Sequence, residues 1–336
     1  TLADCPRFGT GEAKGAFHES IRGKDLFLLV DVCNHSITYE MNGYTNHMSP
    51  DDHYQDLKRI IAAVGGKAHR INVIMPFLYE GRQHKRNGRE SLDCAYALKE
   101  LQNMGVSNFV TFDAHDPRVQ NATPLSGFDN FQPPYQFLRA LLDAEEDLVV
   151  DKEHLLVISP DEGALDRAIY FATVLGVDTG MFYKRRDYST IENGKNPIVA
   201  HEFLGDNIDG KDIIIIDDMI SSGGSMLDTA RQLKRMNARR VYICCTFGLF
   251  TDGLKSFDHA YEQGYFDKVI TTNLTYLPPE IHTRPYFVEA DMSKFLASII
   301  DFMNHDVSLT NATATTEKIR HIVEVYNSRR EFVTRD

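Results

Sequence analysis

The chain has 336 residues, a formal net charge of −12 and an apolar fraction of 43%, a profile of a globular protein with core enough for two domains. The acidic balance argues against nucleic acid as the main partner. No uninterrupted apolar run is long enough to cross a membrane, and no secretory signal is visible. Five cysteines, an odd number without metal spacing, point to a reducing compartment and hence a cytoplasmic location.

The start at Thr1, without a methionine, is read as a beginning from which something has been removed. The first element is the strand "DLFLLVDVC"; "NHSITYEMNGYTNHMSPDD" then reads as a polar, turn-rich loop. "HYQDLKRIIAAV" is an amphipathic helix with Leu57, Ile60, Ile61 and Val64 on its apolar side. Strand "INVIMP", helix "SLDCAYALKELQNMG" ended by Gly105, and strand "NFVTFDAH" follow. "PPYQFLRALLDAEED" starts a helix at a proline pair.

A second series then begins: strand "HLLVIS", helix "GALDRAIYFATVLG", strand "TGMFYK", strand "DIIIID", helix "SMLDTARQLKRM", strand "RVYICCTFG", helix "GLKSFDHAYEQG" and strand "KVITTN". The βα alternation, twice over, predicts an α/β protein with two similar doubly wound domains and mainly parallel central sheets. Cys244 and Cys245, inside the apolar run "VYICCTF", are expected in the core.

Four strand ends carry chemistry. In "IIIIDDMISSGGS" (Ile213 to Ser225) four isoleucines read as a strand buried on both faces. Ser221, Ser222, Gly223, Gly224 and Ser225 then precede a helix, where free backbone N–H groups favour an anion. Asp217 and Asp218 would repel a bare phosphate; two carboxylates suit sugar hydroxyls or a hydrated metal. A ribose bearing a 5-phosphate fits both ends. "TFDAHD" places Asp113, His115 and Asp116 beyond an apolar strand, suited to metal or phosphate work. "VISPDEGALDR" repeats that arrangement with Asp161, which also reads as an N-cap. "FYKRRDY" is a cationic cluster at a strand end, either solvated or able to neutralise charge in phosphoryl transfer. "YEGRQHKRNGRES" reads as an exposed basic loop.

Together these segments resemble the ribose-phosphate diphosphokinases, within the type I phosphoribosyltransferase-like superfamily. "IIIIDDMISSGGS" resembles the ribose-phosphate loop of that superfamily. "RFGTGEAKGAFHESIRGKDLF", "MPFLYEGRQHKR", "TFDAHDPRVQ", "SPDEGA" and "YKRRD" resemble the family's further motifs, in order from Arg7 to Ser308. The resemblance implies an N-terminal nucleotide-side domain over 1–147, joined by the segment 303–336, and a ribose 5-phosphate-side domain over 148–302. It implies transfer of diphosphate from Mg-ATP to ribose 5-phosphate, giving 5-phosphoribosyl 1-diphosphate and AMP. Lys184, Arg186 and His115 would be catalytic. Asp217, Asp218 and Ser221 to Ser225 would bind the sugar phosphate, and Phe8, Glu12, Arg82, Gln83 and His115 the nucleotide. His115 and Asp161 would hold Mg2+, and Ser20 and Arg22 an allosteric phosphate. A homo-oligomer, dimer or hexamer, is implied because the Phe8 segment reaches a neighbouring subunit. Thr10 and His84 stand where the family has Asp, Ala164 replaces the second Gly of the Ser-Pro-Asp motif, and Ala114 replaces a Leu. A regulatory homologue of weak catalytic power and a nucleobase phosphoribosyltransferase are the alternative readings.

Overall fold

The computed structural model describes residues 2–186, 198–310 and 315–333. They form two compact units: Thr1–Pro133 with Leu274–Tyr276 and Lys294–Leu309, and Pro134–Asn273 with Leu277–Ser293 and Thr310–Asp336.

In the first unit, β1 (Ala3–Asp4) and β2 (Ala16–Phe17) pair antiparallel. β3 (Asp25–Leu29) opens a parallel four-stranded sheet. β4 (Thr38–Met41) and β5 (Tyr44–His47) form a hairpin inside the segment expected to be a loop. Its turn is Asn42-Gly43, both at positive φ (51° and 79°), the Asn-Gly signature of a tight hairpin turn. α1 (Pro50–Val64) starts earlier than its apolar spacing indicates, because Ser49 and Asp52 form a reciprocal capping box ahead of it. β6 (Arg70–Ile74), α2 (Asp93–Asn103), β7 (Asn108–Phe112) and β8 (Gly127–Phe131) complete the unit's sheet, in the order β3-β6-β7-β8.

Period-two alternation sorts this sheet's side chains. Ile71, Val73 and Phe109 share a buried cluster with Leu57, Ile61 and Val64 of α1 and Cys94, Leu98 and Leu101 of α2. Phe112 and Phe131 instead meet Phe295 edge to face, at 6.2 and 5.7 Å between ring centroids. Phe295 lies on the helix Ser293–Asn304, so a late segment of the chain covers the second face. Arg70 ties its end down, donating to Asp306 at 2.6 Å and to Asp25 at 2.5 Å.

The second unit begins with α3 (Pro134–Ala144) and β9 (Leu155–Ser159), then α4 (Leu165–Leu175), β10 (Asp178–Arg186), β11 (Ile198–Leu204), β12 (Asp212–Ile220), α5 (Gly224–Arg235), β13 (Arg240–Gly248), α6 (Lys255–Glu262), β14 (Lys268–Thr272) and β15 (Phe287–Ala290). The sheet order is β11-β10-β9-β12-β13-β14-β15, parallel except for the edge strand β11. The isoleucine run behaves as read: Ile213 and Ile215 join one cluster with Met226 and Leu233 of α5. Ile214 and Ile216 join the opposite cluster, with Phe171 of α4 and Phe137 of α3. Each such side chain contributes roughly 1.5–3 kcal/mol by burial. Cys244 and Cys245 are core residues as expected.

The units divide at Pro133/Pro134 rather than at 147/148, because α3 lays Phe137, Leu138 and Leu141 onto the second unit's sheet. The C-terminal helix Thr315–Val333 packs there too: Ile319 is buried, and Tyr326 donates to the Glu145 carbonyl at 2.7 Å. The tail from Thr310 therefore groups with the second unit, and only 294–309 joins the first. No helix among the described residues is long and apolar enough to cross a membrane.

Candidate active site

In the second unit's sheet, strand order reverses between β9 and β12, which pair in parallel. Ligands of such sheets bind beyond the carboxyl ends of the strands at that reversal. Asp161 follows β9 there, and Asp217, Asp218 and the Ser221–Ser225 loop come at the end of β12. The two stretches singled out in the sequence are thus neighbours in space.

The loop is built to present backbone. Ser221 O accepts from Thr251 N at 3.0 Å, and Ile220 O from Leu249 N at 2.9 Å, anchoring the turn to the end of β13. Gly223 takes φ 82°, a left-handed conformation that favours glycine, and a Cβ there would collide with the Phe257 ring. The first intrahelical bond of α5 is Leu227 N to Gly223 O at 3.0 Å. The N–H groups ahead of it point out of the helix end, where an anion is favoured. Ser222, Gly224 and Ser225 are exposed.

The acid pair sits deeper. Asp218 is 3% exposed. Asp217 is half-buried, with 22% of its side chain exposed, and its Oδ1 accepts from Asp218 N at 2.9 Å. Burial and the like charge of Asp218 push the Asp217 carboxyl well above the usual carboxylate range; Arg167 opposes them, its Nη1 lying 3.6 Å from Asp217 Oδ1. Asp161 caps the turn that follows it, accepting from Gly163 N at 3.0 Å, so the N-cap reading of that residue holds.

The backbone of Lys184 and Arg186 ends β10, opposite His201 and Ile198 of β11. Met181 is the last β10 residue paired with β9, at Ser159. With about 3.3 Å per residue, Lys184 stands roughly 10 Å beyond the edge where Asp161 begins. The side chains of Lys184 and Arg186, and the loop 187–197, lie outside the described residues.

The first unit gathers a different set. His115 and Asp116 follow β7 after Asp113, which takes φ 43°, and His115 is exposed. His84, from the 79–91 loop, lies with Nε2 3.4 Å from Asp116 Oδ2 and its ring 5.4 Å from that of His115. Arg118 also grips Asp116, and its hydrogen bonds hold that carboxyl down to about 2. Arg82 is exposed; Gln83 is half-buried and donates to Ser91 O at 2.8 Å. Phe8 is 55% exposed on a turn closed by Phe8 N to Glu12 O at 2.7 Å, and Glu12 accepts from Thr10 Oγ1. Asn42 of the β4–β5 hairpin donates to Gly9 O at 2.9 Å and supports that turn. Ser20 and Arg22 are exposed ahead of β3.

His115 and Asp161, the expected metal pair, fall in different units. No three His, Cys, Asp or Glu side chains converge as a metal site among the described residues. Two residues escaped the sequence reading. Arg167 stands in a helical run where an arginine reads as surface, and Phe257 sits behind Gly223 with no local mark of its position.

A parallel sheet with a reversal, an acid pair at its centre and a Ser-Gly loop opening a helix define a phosphoribosyltransferase-type α/β protein. Residues 1–105 match the N-terminal domain of ribose phosphate pyrophosphokinase, and residues 136–267 the phosphoribosyl transferase domain. The chain is 33% identical over 249 residues to a ribose-phosphate pyrophosphokinase of Corynebacterium efficiens, covering 73% of this chain and 69% of that one. It is 26% identical over 316 residues to that of Vibrio parahaemolyticus, covering 92% and 90%. The fold matches the crystal structure of phosphoribosylpyrophosphate synthetase from Mycobacterium smegmatis with a TM-score of 0.74, at 23% identity and 91% coverage of both chains. The chain belongs to the ribose-phosphate pyrophosphokinase family.

Proposed function

We propose that the protein transfers the diphosphate of ATP to ribose 5-phosphate, forming 5-phosphoribosyl 1-diphosphate and AMP. The observation that carries this is the end of β12: an acid pair beside a helix-opening Ser-Gly loop at the sheet reversal, in a chain of this family. The Ser221–Ser225 loop cradles the 5-phosphate through backbone N–H groups and hydroxyls. Asp217 and Asp218 accept from the ribose hydroxyls. With the sugar so held, its 1-hydroxyl is oriented for in-line attack on the β-phosphorus, and AMP leaves. Lys184 and Arg186 neutralise charge that grows on the phosphoryl oxygens. Arg82, Gln83 and His115 bind the nucleotide.

Mg2+ bound to a nucleotide keeps several waters and takes one or two protein ligands besides phosphates. His115, exposed in the first unit, and Asp161, half-buried in the second, are the residues this reading assigns to the ion. Once bound, the ion screens the phosphate charge. Phe8 and Glu12 are assigned to a neighbouring subunit's nucleotide, which makes the working form a homo-oligomer, a dimer or a hexamer. A cytoplasmic location is part of the same reading.

The test is AMP release. AMP is expected when ribose 5-phosphate and Mg-ATP are added together, and with neither alone. AMP without the sugar, or none with both, overturns the proposal.

A further inference from the structure

The turn that carries Phe8 has little of its own to fix its orientation. Arg7 bridges Ala13 antiparallel at its base, Phe8 N donates to Glu12 O at 2.7 Å, and Gly11 N donates to Phe8 O at 2.8 Å. The tip is Gly9-Thr10-Gly11, and a Cβ added at Gly9 would meet nothing within 4 Å. These local bonds close the turn; its direction is set from outside.

The β4–β5 hairpin supplies that support. Asn42 N donates to Gly9 O at 2.9 Å. Met41 lies over Gly11: φ there is 90°, and the Met41 Sδ stands 2.7 Å from where a Cβ would be. The bare glycine and the thioether therefore fit as a pair, the one leaving the space that the other fills. Tyr39 holds the base of the turn. The Arg7 guanidinium lies 4.7 Å from the centre of its ring, within cation–π range. Both Nη atoms of Arg7 also donate to Asp56 of α1, at 2.9 and 3.0 Å. The hairpin is tied to the same helix, where the Tyr39 hydroxyl donates to Asp52 at 3.3 Å. Helix, hairpin and turn thus form one line of contacts that ends at the exposed Phe8 ring.

An exposed ring on a glycine-containing turn binds a flat ligand weakly unless it is held beforehand, because ordering it is otherwise subtracted from the binding. We propose that the β4–β5 hairpin is a positioning element for the nucleotide, Met41 and Tyr39 holding the Phe8–Glu12 turn in the orientation that receives ATP. This rests on the assignment of Phe8 and Glu12 to the nucleotide given above. The hairpin acts on ATP through the turn.

The experiment measures kcat, KM for ATP and KM for ribose 5-phosphate in Met41→Ala, Met41→Leu, Phe8→Ala and the double variant Phe8→Ala/Met41→Ala, with urea unfolding beside each. The apparent affinity of a site falls in proportion to the fraction of molecules in the competent form. Met41→Ala loosens the turn over Gly11 and is expected to raise KM for ATP about fivefold or more. KM for ribose 5-phosphate and kcat stay within about twofold of the parent, as does every constant of Met41→Leu, which refills the space at nearly equal volume. In the Phe8→Ala background the effect of Met41→Ala is expected to vanish, because residues acting through one another are not additive. A parental KM for ATP in Met41→Ala overturns the proposal. A rise in both KM values together, or a rise that persists undiminished on top of Phe8→Ala, overturns it as well and leaves the hairpin a structural role. If Met41→Ala does not fold, Tyr39→Leu, which removes the ring under Arg7, replaces it with the same outcomes. Phe8→Ala separates the two readings: a parental KM for ATP there removes the turn from the nucleotide site, and the proposal with it. A raised KM for ATP in Phe8→Ala beside an unaffected Met41→Ala removes only the role of the hairpin.

Discussion

Gly223 and Gly224 are adjacent, yet they answer different questions. At Gly223 the backbone is left-handed and a Cβ would strike the Phe257 ring. Gly223→Ala therefore combines a left-handed penalty of about 1–2 kcal/mol with overpacking of about 1–3 kcal/mol. The expected destabilisation is roughly 2–5 kcal/mol, the sum of the two. Lost sugar binding in that variant would say little about phosphate. At Gly224 the added Cβ would meet nothing nearer than Ser222 Oγ at 4.0 Å, and the residue is exposed at the start of α5. Gly224→Val is expected to keep its fold within about 0.5 kcal/mol, as an exposed substitution clear of packing does. The branched side chain occupies the space from which phosphate oxygens reach the loop N–H groups. Losing one charge-assisted bond costs roughly 1.5–3 kcal/mol, or about ten- to a hundredfold and more in affinity. Calorimetric titration with ribose 5-phosphate measures the binding and urea unfolding measures the fold. Sugar-phosphate affinity within threefold of the parent in a stable Gly224→Val would refute the placement of the phosphate on this loop.

Lys184→Ala and Arg186→Ala are each expected to lower kcat about a hundredfold or more, with little change in either KM, if these residues face the growing phosphoryl charge; AMP production near the parental rate in both returns them to the surface. Asp212, fully buried, is pushed up by burial, but hydrogen bonds from Arg239 and Arg240 outweigh that and hold it below the usual range. Its stabilisation is thus complete above the unfolded-state pKa and is lost as pH falls through the folded value. Asp212→Asn is expected to cost roughly 3 kcal/mol and to flatten the acid side of the stability profile; urea midpoints from pH 3 to 7 that fall as steeply as the parent's would contradict this. The resemblance implies a serine-rich partner segment for the allosteric phosphate site, which Asp306-Val307-Ser308 matches only in part, and an acid in it repels a β-phosphate. ADP inhibition through Ser20 and Arg22 is therefore expected to be weak, and inhibition that saturating ATP cannot relieve would show otherwise.

Much of this was written in local sequence. The isoleucine run announced a strand with two buried faces, because only a covered parallel sheet has use for four such residues together. The Ser-Gly stretch after the acids announced an anion loop, because hydroxyls and glycine at a helix start act within a few residues of one another. The β4–β5 hairpin was missed: Asn42-Gly43 sits at its turn, but the polar strands around it lack a buried face and read as loop. Arg167 and Phe257 were not legible. Their importance comes from strand order, which sets α4 beside β12 and a distant ring behind Gly223, and no pattern along the chain encodes that adjacency. Apolar Phe112 and Phe131 implied a covered face, but nothing nearby named Phe295 as its cover.

That cover carries a consequence for biosynthesis. The first unit's last strand ends at Phe131, but the ring that caps Phe112 and Phe131 belongs to residue 295. At about 5–20 residues per second, the ribosome needs on the order of ten to thirty seconds to make the intervening chain. Throughout that interval the nascent first unit holds two aromatic side chains without their partner, while the second unit's strands emerge and can close among themselves. The unit made first is thus finished late. A chain interrupted before residue 295 would leave an adhesive aromatic face on its N-terminal unit, so a fragment ending at Pro133 is a poor vehicle for studying that unit by itself.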